Sequence, residues 1–382
     1  MDCESLFRKI DEISPAYIKM WEDVCNIDSP TNFKEGVDDV CEYFVDVAKK
    51  QGFQIEILKN EVSGNAACIT MNPESDKAPV CFSGHMDTVH PVGFFGCPPV
   101  KIDTKKIYGP GVIDCKGGCV ASLMAMEALS KIGYKKRPVK LILQSDEETS
   151  STTSAKETVR FMVEQAKDAI AFFNTEPHHR GKVILERKGI LRVRFRITGV
   201  AQHSSICYKG VNAIREAAYK IINIERIKNP NGVTCNIGVI EGGTVANTVA
   251  EKCSFVVDIR FSKEKEKNKT IKKLNNIAKK SFVKGTKCEI EEVSSRPAME
   301  KCKKNYKLLE TLNKTYMEQG LEPLVAEKDN AGSDAAYITM ESIPCIDGMG
   351  TIGDNLHSIK EYSYLESLNL SAKYMALAAL RL

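Results

Sequence analysis

The sequence predicts an α/β protein: a mixed, mostly parallel sheet with helices on both faces, carrying an inserted ferredoxin-like β-α-β-β-α-β domain. Three observations carry that expectation. Short apolar strands alternate with segments of helical period as far as Lys188, the pattern of a sheet covered on both faces. From Leu191 to Ser295 the order changes to strand, helix, strand, strand, helix, strand. After Pro297 the alternating texture resumes. At 382 residues the chain exceeds the roughly 250–300 that one core serves, so two domains are expected: a discontinuous one over 1–188 and 297–382, and an inserted one over 189–296.

Taken in order, a helix is expected near Asn32–Gln51, where Val37, Val40, Cys41, Phe44, Val47 and Ala48 form one stripe and Gly52 ends it. Phe53, Ile55 and Ile57 alternate as a strand, and Ala66–Met71 and Val80–Gly84 read as the next two. The prolines and glycines of Pro91–Pro110 argue against regular structure there. A helix through Val120, Leu123, Met124 and Leu129 runs to Gly133, followed by a strand Val139–Leu143, a helix from about Ser154 to Lys167 and a strand Ala169–Phe173.

In the inserted segment, strand Leu191–Val200 alternates Leu191, Val193, Phe195 and Ile197 with Arg192, Arg194 and Arg196, so one face is buried and the other wet. Helix Val211–Lys228, strands Val233–Glu241 and Lys252–Ser262, helix Lys267–Lys280 and strand Lys287–Ser295 complete the unit. Helices Asn305–Gln319, Asp334–Met340 and Glu361–Arg381 belong to the larger domain.

Composition narrows the function classes. With 43% hydrophobic and 27% charged residues the chain is ordinary for a globular protein, and a net charge of +4 beside 54 basic and 50 acidic residues gives no reason to expect a nucleic-acid partner. Met1–Ile10 carries charges and no apolar core, and no stretch approaches the roughly 20 apolar residues of a membrane span. A cytoplasmic chain without a membrane partner is expected. The 14 cysteines are scattered and lack C-x-x-C spacing, so they read as reduced thiols.

The candidate chemistry lies at strand ends. Gly84-His85-Met86-Asp87-Thr88 closes one predicted strand, Asp146-Glu147-Glu148 follows another and Glu176 a third. Asp114 stands just before a helix, and His357 lies in a late loop. Each alone has a local explanation, an N-cap for Asp114 or a solvated loop for the acids. Largely parallel sheets, however, bind ligands beyond the carboxyl ends of their strands, and these residues gather on that rim. Imidazole plus carboxylate without thiolate suits zinc or another divalent first-row ion with open positions, and His85, Asp114, Glu148, Glu176 and His357 are enough for two ions bridged by Asp114. The glycine-rich loop before the helix matches neither phosphate-binding spacing, which leaves a nucleotide-binding reading weak.

With Ser83-Gly84-His85-Met86-Asp87-Thr88-Val89, Tyr108-Gly109-Pro110-Gly111, Asp114-Cys115-Lys116-Gly117-Gly118, Asp146-Glu147-Glu148, Glu176-Pro177, Gln202-His203-Ser204-Ser205, Gly242-Gly243-Thr244-Val245-Ala246-Asn247 and Asn355-Leu356-His357, the chain resembles the dinuclear zinc exopeptidases and deacylases over essentially its whole length. That family includes aminoacylase-1, acetylornithine deacetylase, succinyl-diaminopimelate desuccinylase and glutamate carboxypeptidase, and the glutamate carboxypeptidase branch looks nearest. The resemblance implies a zinc-dependent hydrolase that cleaves an amide or peptide bond beside a free carboxylate by attack of a metal-bridged hydroxide, with N-acyl-amino-acid deacylation as the alternative. An inactive metal-binding or scaffold protein is the rival from another class.

It further implies two Zn2+ per subunit, with Co2+ or Mn2+ as substitutes. His85 and Glu176 would hold one ion, Glu148 and His357 the other, and Asp114 both. Asp87 would fix the His85 tautomer, Glu147 would be the general base, and the Asp114–Cys115 peptide would be cis. The substrate is a small peptide or N-acyl amino acid. The inserted domain would be a lid and homodimer interface that sends His203 across that interface to polarise the scissile carbonyl. Asn247, Arg260, Gly332 and Ser333 would contact the substrate. His90, His178 and His179 match no ligand position, and His178 and His179 read as lining the rim of the substrate pocket or, alternatively, as shaping it.

Overall fold

The computed structural model describes residues 3–178, 180–227 and 232–382. Helices α1 (Cys3–Cys25) and α2 (Lys34–Lys50) lead into strands β1 (Gln54–Leu58), β2 (Ala66–Met71), β3 (Val80–His85), β4 (Lys101–Ile102) and β5 (Lys106–Tyr108). Then come α3 (Lys116–Lys131), β6 (Val139–Gln144), α4 (Glu157–Gln165), β7 (Ala171–Asn174) and β8 (Lys182–Arg187). The middle of the chain is β9 (Gly189–Thr198), α5 (Ala213–Glu225), β10 (Val233–Gly242), β11 (Lys252–Phe261), α6 (Glu264–Lys279) and β12 (Lys287–Arg296). It closes with α7 (Lys303–Glu318), β13 (Val325–Asp329), α8 (Ala335–Met340), β14 (Cys345–Ile346), β15 (Gly353–Asp354), β16 (Tyr362–Tyr364) and α9 (Glu366–Arg381).

Two compact units result. The first comprises Met1–Leu185, Lys301–Lys328 and Ser333–Leu382, the second Glu186–Glu300 and Asp329–Gly332. These limits lie a few residues outside those read from the sequence, and the Asp329–Gly332 segment, expected in the larger domain, belongs to the second unit.

The first unit is built on a sheet of order β1-β2-β6-β3-β7-β14. The β6/β3, β3/β7 and β7/β14 pairs are parallel and the β1/β2 and β2/β6 pairs antiparallel, so the sheet is mixed and mostly parallel. Every residue of β3 is buried. Helix α3 is apolar and buried along nearly its whole length because it packs on α1 and α9 as well as on β3 and β6. In the second unit, the antiparallel sheet β10-β11-β9-β12 buries Leu191, Val193, Phe195 and Ile197 in a core with residues of α5 and α6, while Arg192, Arg194 and Arg196 alternate with them and are more exposed. No helix among the described residues is long and apolar enough to cross a membrane.

Several expectations need correction. The N-terminal helix α1 was not expected, although Leu6, Ile10, Ile13, Tyr17, Trp21 and Val24 form a buried stripe at helical spacing. Pro15 lies inside it. The stretch read as irregular contains β4 and β5, and the stretch read as the start of the last helix contains β16. These short strands exist because β16 pairs with β5 across more than half the chain, a partner that local composition does not reveal. Lys228, the expected end of a helix, and His179 lie outside the described residues.

Candidate metal centre

Strands β6, β3 and β7 are neighbours and parallel, so their carboxyl ends share one edge of the sheet. His85 is the last residue of β3, Glu147 and Glu148 begin a 3₁₀ turn directly after β6, and Glu176 follows β7. Asp114 reaches this edge from the loop before α3. Gly84 and Gly118 allow the close approach: a Cβ on Gly84 would collide with Thr175 Oγ1 and Cys119 Sγ, and one on Gly118 with the Thr175 carbonyl. The Asp114–Cys115 peptide is cis. His357 lies in the turn between β15 and β16, which the Ser358 hydroxyl closes by donating to the Asn355 carbonyl at 2.7 Å.

These residues converge as two trios. His85 Nε2 lies 3.2 Å from Asp114 Oδ1 and 3.8 Å from Glu176 Oε1. His357 Nε2 lies 3.1 Å from Asp114 Oδ2 and 3.4 Å from Glu148 Oε2. Within each trio the candidate ligand atoms lie within 4.8 Å of one another. Asp114 thus turns one carboxylate oxygen to each histidine. A set of imidazole and carboxylate donors at this spacing fits a pair of borderline divalent cations sharing one carboxylate.

The electrostatics point the same way. Burial and then the charge of Asp114 push Glu148 up to about 8. Burial, with the charges of Glu147 and Asp114, raises Glu176 well above the carboxylate range. Hydrogen bonds to Asp114 and Glu148 raise His357 to about 10. Burial works to raise Asp114 as well, but hydrogen bonds from His357 and His85 outweigh it and hold its carboxyl low. Carboxyls that retain protons this far above their ordinary range mark a cluster with too much negative charge for its own cations. Glu147 is buried beside Glu148, and no expected ligand or base is missing.

The surrounding residues refine the expected roles. The nearest acceptor for His85 Nδ1 is the Asp87 main-chain carbonyl at 2.9 Å, with the Asp87 carboxylate at 3.3 Å. That carboxylate accepts from the backbone N–H groups of Glu147 at 3.1 Å and Glu148 at 3.2 Å and from Thr31 Oγ1 at 2.6 Å. Asp87 therefore ties the His85 strand to the turn carrying both glutamates. Thr31 gave no sequence signal, since it meets Asp87 only through the fold. Cys115 and Cys119 face the main chain of His85: Cys115 Sγ accepts its N–H at 3.0 Å, and both thiols donate to its carbonyl at 3.6 Å.

The other expected site residues divide between the units. His203, Asn247, Arg260 and Gly332 belong to the second, Ser333 to the first. His203 and Asn247 are neighbours, because Ser204 N–H donates to the Asn247 carbonyl at 2.9 Å. His203 Nδ1 accepts from Ser205 N–H, capping a short 3₁₀ helix, so a neutral ring carries its proton on Nε2. Arg260 is gripped by Asp258 through Nε at 2.7 Å and Nη2 at 3.3 Å. Ser333 is fully buried, its hydroxyl donating to Asp347 at 2.6 Å and accepting from Asn174 at 3.3 Å, so the side chain serves the interior of the first unit. His178 is buried edge-on against Tyr374, with ring centroids 6.3 Å apart, and lines a cavity with Arg180 and Tyr364.

Residues 81–381 match Peptidase family M20/M25/M40. The chain is similar to carboxypeptidase G2 from Pseudomonas sp. (strain RS-16), 27% identical over 361 residues covering 93% of this chain and 86% of that protein. It is also similar to succinyl-diaminopimelate desuccinylase from Rickettsia akari, 25% identical over 377 residues covering 92% and 96%. Among solved structures, a tripeptidase from Staphylococcus aureus superposes with a TM-score of 0.79 at 20% identity, covering 97% of this chain and 99% of that one, and so shares the fold. The chain belongs to Peptidase family M20/M25/M40 and is a metal-dependent hydrolase of amide or peptide bonds.

Proposed function

We propose that this member of the family is a dinuclear zinc hydrolase of the metallo-carboxypeptidase or dipeptidase type, cleaving an amide or peptide bond next to a free carboxylate. The observation that carries the reading is the division of Asp114, one carboxylate oxygen toward His85 and Glu176 and the other toward His357 and Glu148. Two divalent ions held there would polarise the scissile carbonyl and lower the pKa of water towards about 7.

The chain's own residues supply the rest. Glu147 takes a proton from the attacking water and delivers it to the leaving amine, a role that needs a carboxylate beside the ligands but not among them. Asp87 orients His85 through its carbonyl and carboxylate and holds the Glu147–Glu148 turn in register with it. In the proposed homodimer His203 reaches across the interface to offer its Nε2–H to the scissile carbonyl oxygen, and Asn247 with the Arg260 guanidinium binds the substrate carboxylate. Asp258 already engages two Arg260 nitrogens, which orients the guanidinium and leaves its remaining N–H groups for a ligand. The Gly332–Ser333 loop contributes main-chain contacts.

The second unit serves as lid and as the interface of a homodimer. Supporting this, β10 is an edge strand with Val239 and Ile240 exposed, and α5 exposes Ile214, Tyr219 and Ile222. A deacylase acting on N-acyl amino acids is the second reading, favoured by the similarity to a protein named as a desuccinylase.

Hydrolysis of dipeptides and N-acyl amino acids by zinc-loaded protein, each substrate with its carboxylate free or amidated, tests the reading. Amidation is expected to lower kcat/KM by about 100-fold or more, because a site built for a charged group is left unpaired. Equal rates for both forms would rule the proposal out.

A further inference from the structure

Two buried residues outside the ligand set, His90 and Glu361, form a pair of their own. Glu361 is 1% exposed and His90 5%. Glu361 Oε2 lies 3.1 Å from His90 Nε2, while Oε1 accepts the backbone N–H groups of Ile113 at 3.2 Å and Asp114 at 3.4 Å. The main chain of Glu361 is engaged as well. Its N–H donates to the Ser358 carbonyl at 3.0 Å, closing the turn that directly follows His357, and its carbonyl accepts from Gly109 N–H at 3.3 Å.

One residue therefore touches three segments that bear site residues: 85–90, which starts at His85, 109–114, which ends in Asp114, and 355–361, which contains His357. The His90 ring is in turn held by Phe94, stacked at 5.4 Å, and Phe95, edge-on at 4.9 Å. Glu361 thus meets the Asp114 loop through its carboxylate and Ser358, the neighbour of His357, through its main chain, while His357 itself is half exposed.

We propose that Glu361, braced by His90, is a positioning residue that sets the separation of His357 and Asp114 and so creates the second of the two cation positions. It acts through the backbone of Asp114 and the His357 turn and touches neither ion nor substrate. His85 has the sheet to hold it and Glu148 has Asp87, whereas the placing of His357 against Asp114 depends on this brace. Groups that orient ligands in this way typically account for about 10- to 100-fold in metal affinity.

The inference rests on the two-ion reading above, and the experiment separates the two. Metal-depleted protein is titrated with Co2+, followed by visible absorption, and the rise in melting temperature on adding Co2+ is recorded. Wild-type protein that takes up fewer than two equivalents contradicts the two-ion reading itself. Given two equivalents in the wild type, Glu361→Gln, which keeps the shape and an acceptor but loses the charge, is expected to weaken one equivalent about 10-fold and leave the other within about twofold. Glu361→Leu is expected to weaken the same equivalent about 100-fold, and His90→Phe, which keeps the ring packing, to resemble Glu361→Gln.

The Co2+-induced rise in melting temperature should shrink in the same order, whereas a merely structural role would lower the melting of metal-free and loaded protein alike. If Glu361→Leu does not fold, Glu361→Gln decides. Both equivalents bound as in the wild type, or both weakened equally, overturns the proposal.

Discussion

Lys220 and Glu216 of the second unit form a fully buried ion pair at 2.9 Å, and the first unit gathers Asp114, Glu147, Glu148 and Glu176 near a buried His85 and a half-exposed His357. The first arrangement is closed. Lys220 Nζ donates to the carbonyls of Ile277, Ala278 and Lys280 at the end of α6, and Glu216 accepts from the N–H groups of Phe282 and Val283. Charge is balanced and each polar group has a protein partner, so the pair pins a helix end to a loop. The second arrangement is open, because the acids outnumber the histidines and burial with neighbouring negative charge pushes Glu148 and Glu176 upward. Buried charge serves architecture where it is balanced from within, and it awaits an external cation where it is not.

The largest effect that sharpens this contrast is on rate. On the proposed reading, in which Glu147 is the base and not a ligand, Glu147→Gln is expected to lower kcat by about 10²- to 10⁴-fold while the bound metal is retained. Metal analysis alongside steady-state kinetics checks it, and loss of an ion together with the rate would make Glu147 a ligand instead.

Next comes stability. Lys220→Met is expected to destabilise the protein by about 3–5 kcal/mol, because the Glu216 charge stays buried without its partner. Denaturant unfolding measures this, and the zinc content and kcat of the folded fraction should not change. A variant that loses zinc would break the contrast between a structural and a functional cluster.

The smallest effect is a dependence on pH. In metal-free protein Glu148 keeps its proton up to about pH 8, against an ordinary value of 4.5, and His357 up to about 10, against 6.5. The unfolded chain therefore binds fewer protons than the folded one from about pH 5 upward, and folding stability falls as pH rises from 5 to 8. Bound zinc takes the place of those protons, so the loaded protein should not show the fall. Melting curves with chelator and with zinc at both ends of this range decide the matter, and parallel curves would count against the cluster as a cation site.

Part of this was readable in one dimension. Strand ends and the residues just beyond them, His85, Glu147, Glu148 and Glu176, follow from apolar runs that stop, and the alternation of Leu191, Val193, Phe195 and Ile197 with arginines follows from the period of a strand. Helix α1 also carries its period in the stripe from Leu6 to Val24. Strands β5 and β16 were not legible, since neither Lys106–Tyr108 nor Tyr362–Tyr364 carries a pattern until the other lies beside it.

What the sequence determined by itself was chemistry and period: which side chains could bind a cation, and which segments would end where those side chains begin. Only the tertiary structure decided that Asp114 divides its oxygens between two histidines, that the Asp87 carbonyl rather than its carboxylate lies nearest His85, that His178 packs edge-on against Tyr374, and that Glu361 joins the loops of Asp114 and His357. The physical reason is range. Periodicity is written in neighbours a few residues apart, whereas a hydrogen bond such as that from Asp114 N–H to Glu361 links residues 247 positions apart in the chain and exists only once the sheet and its covering helices have packed.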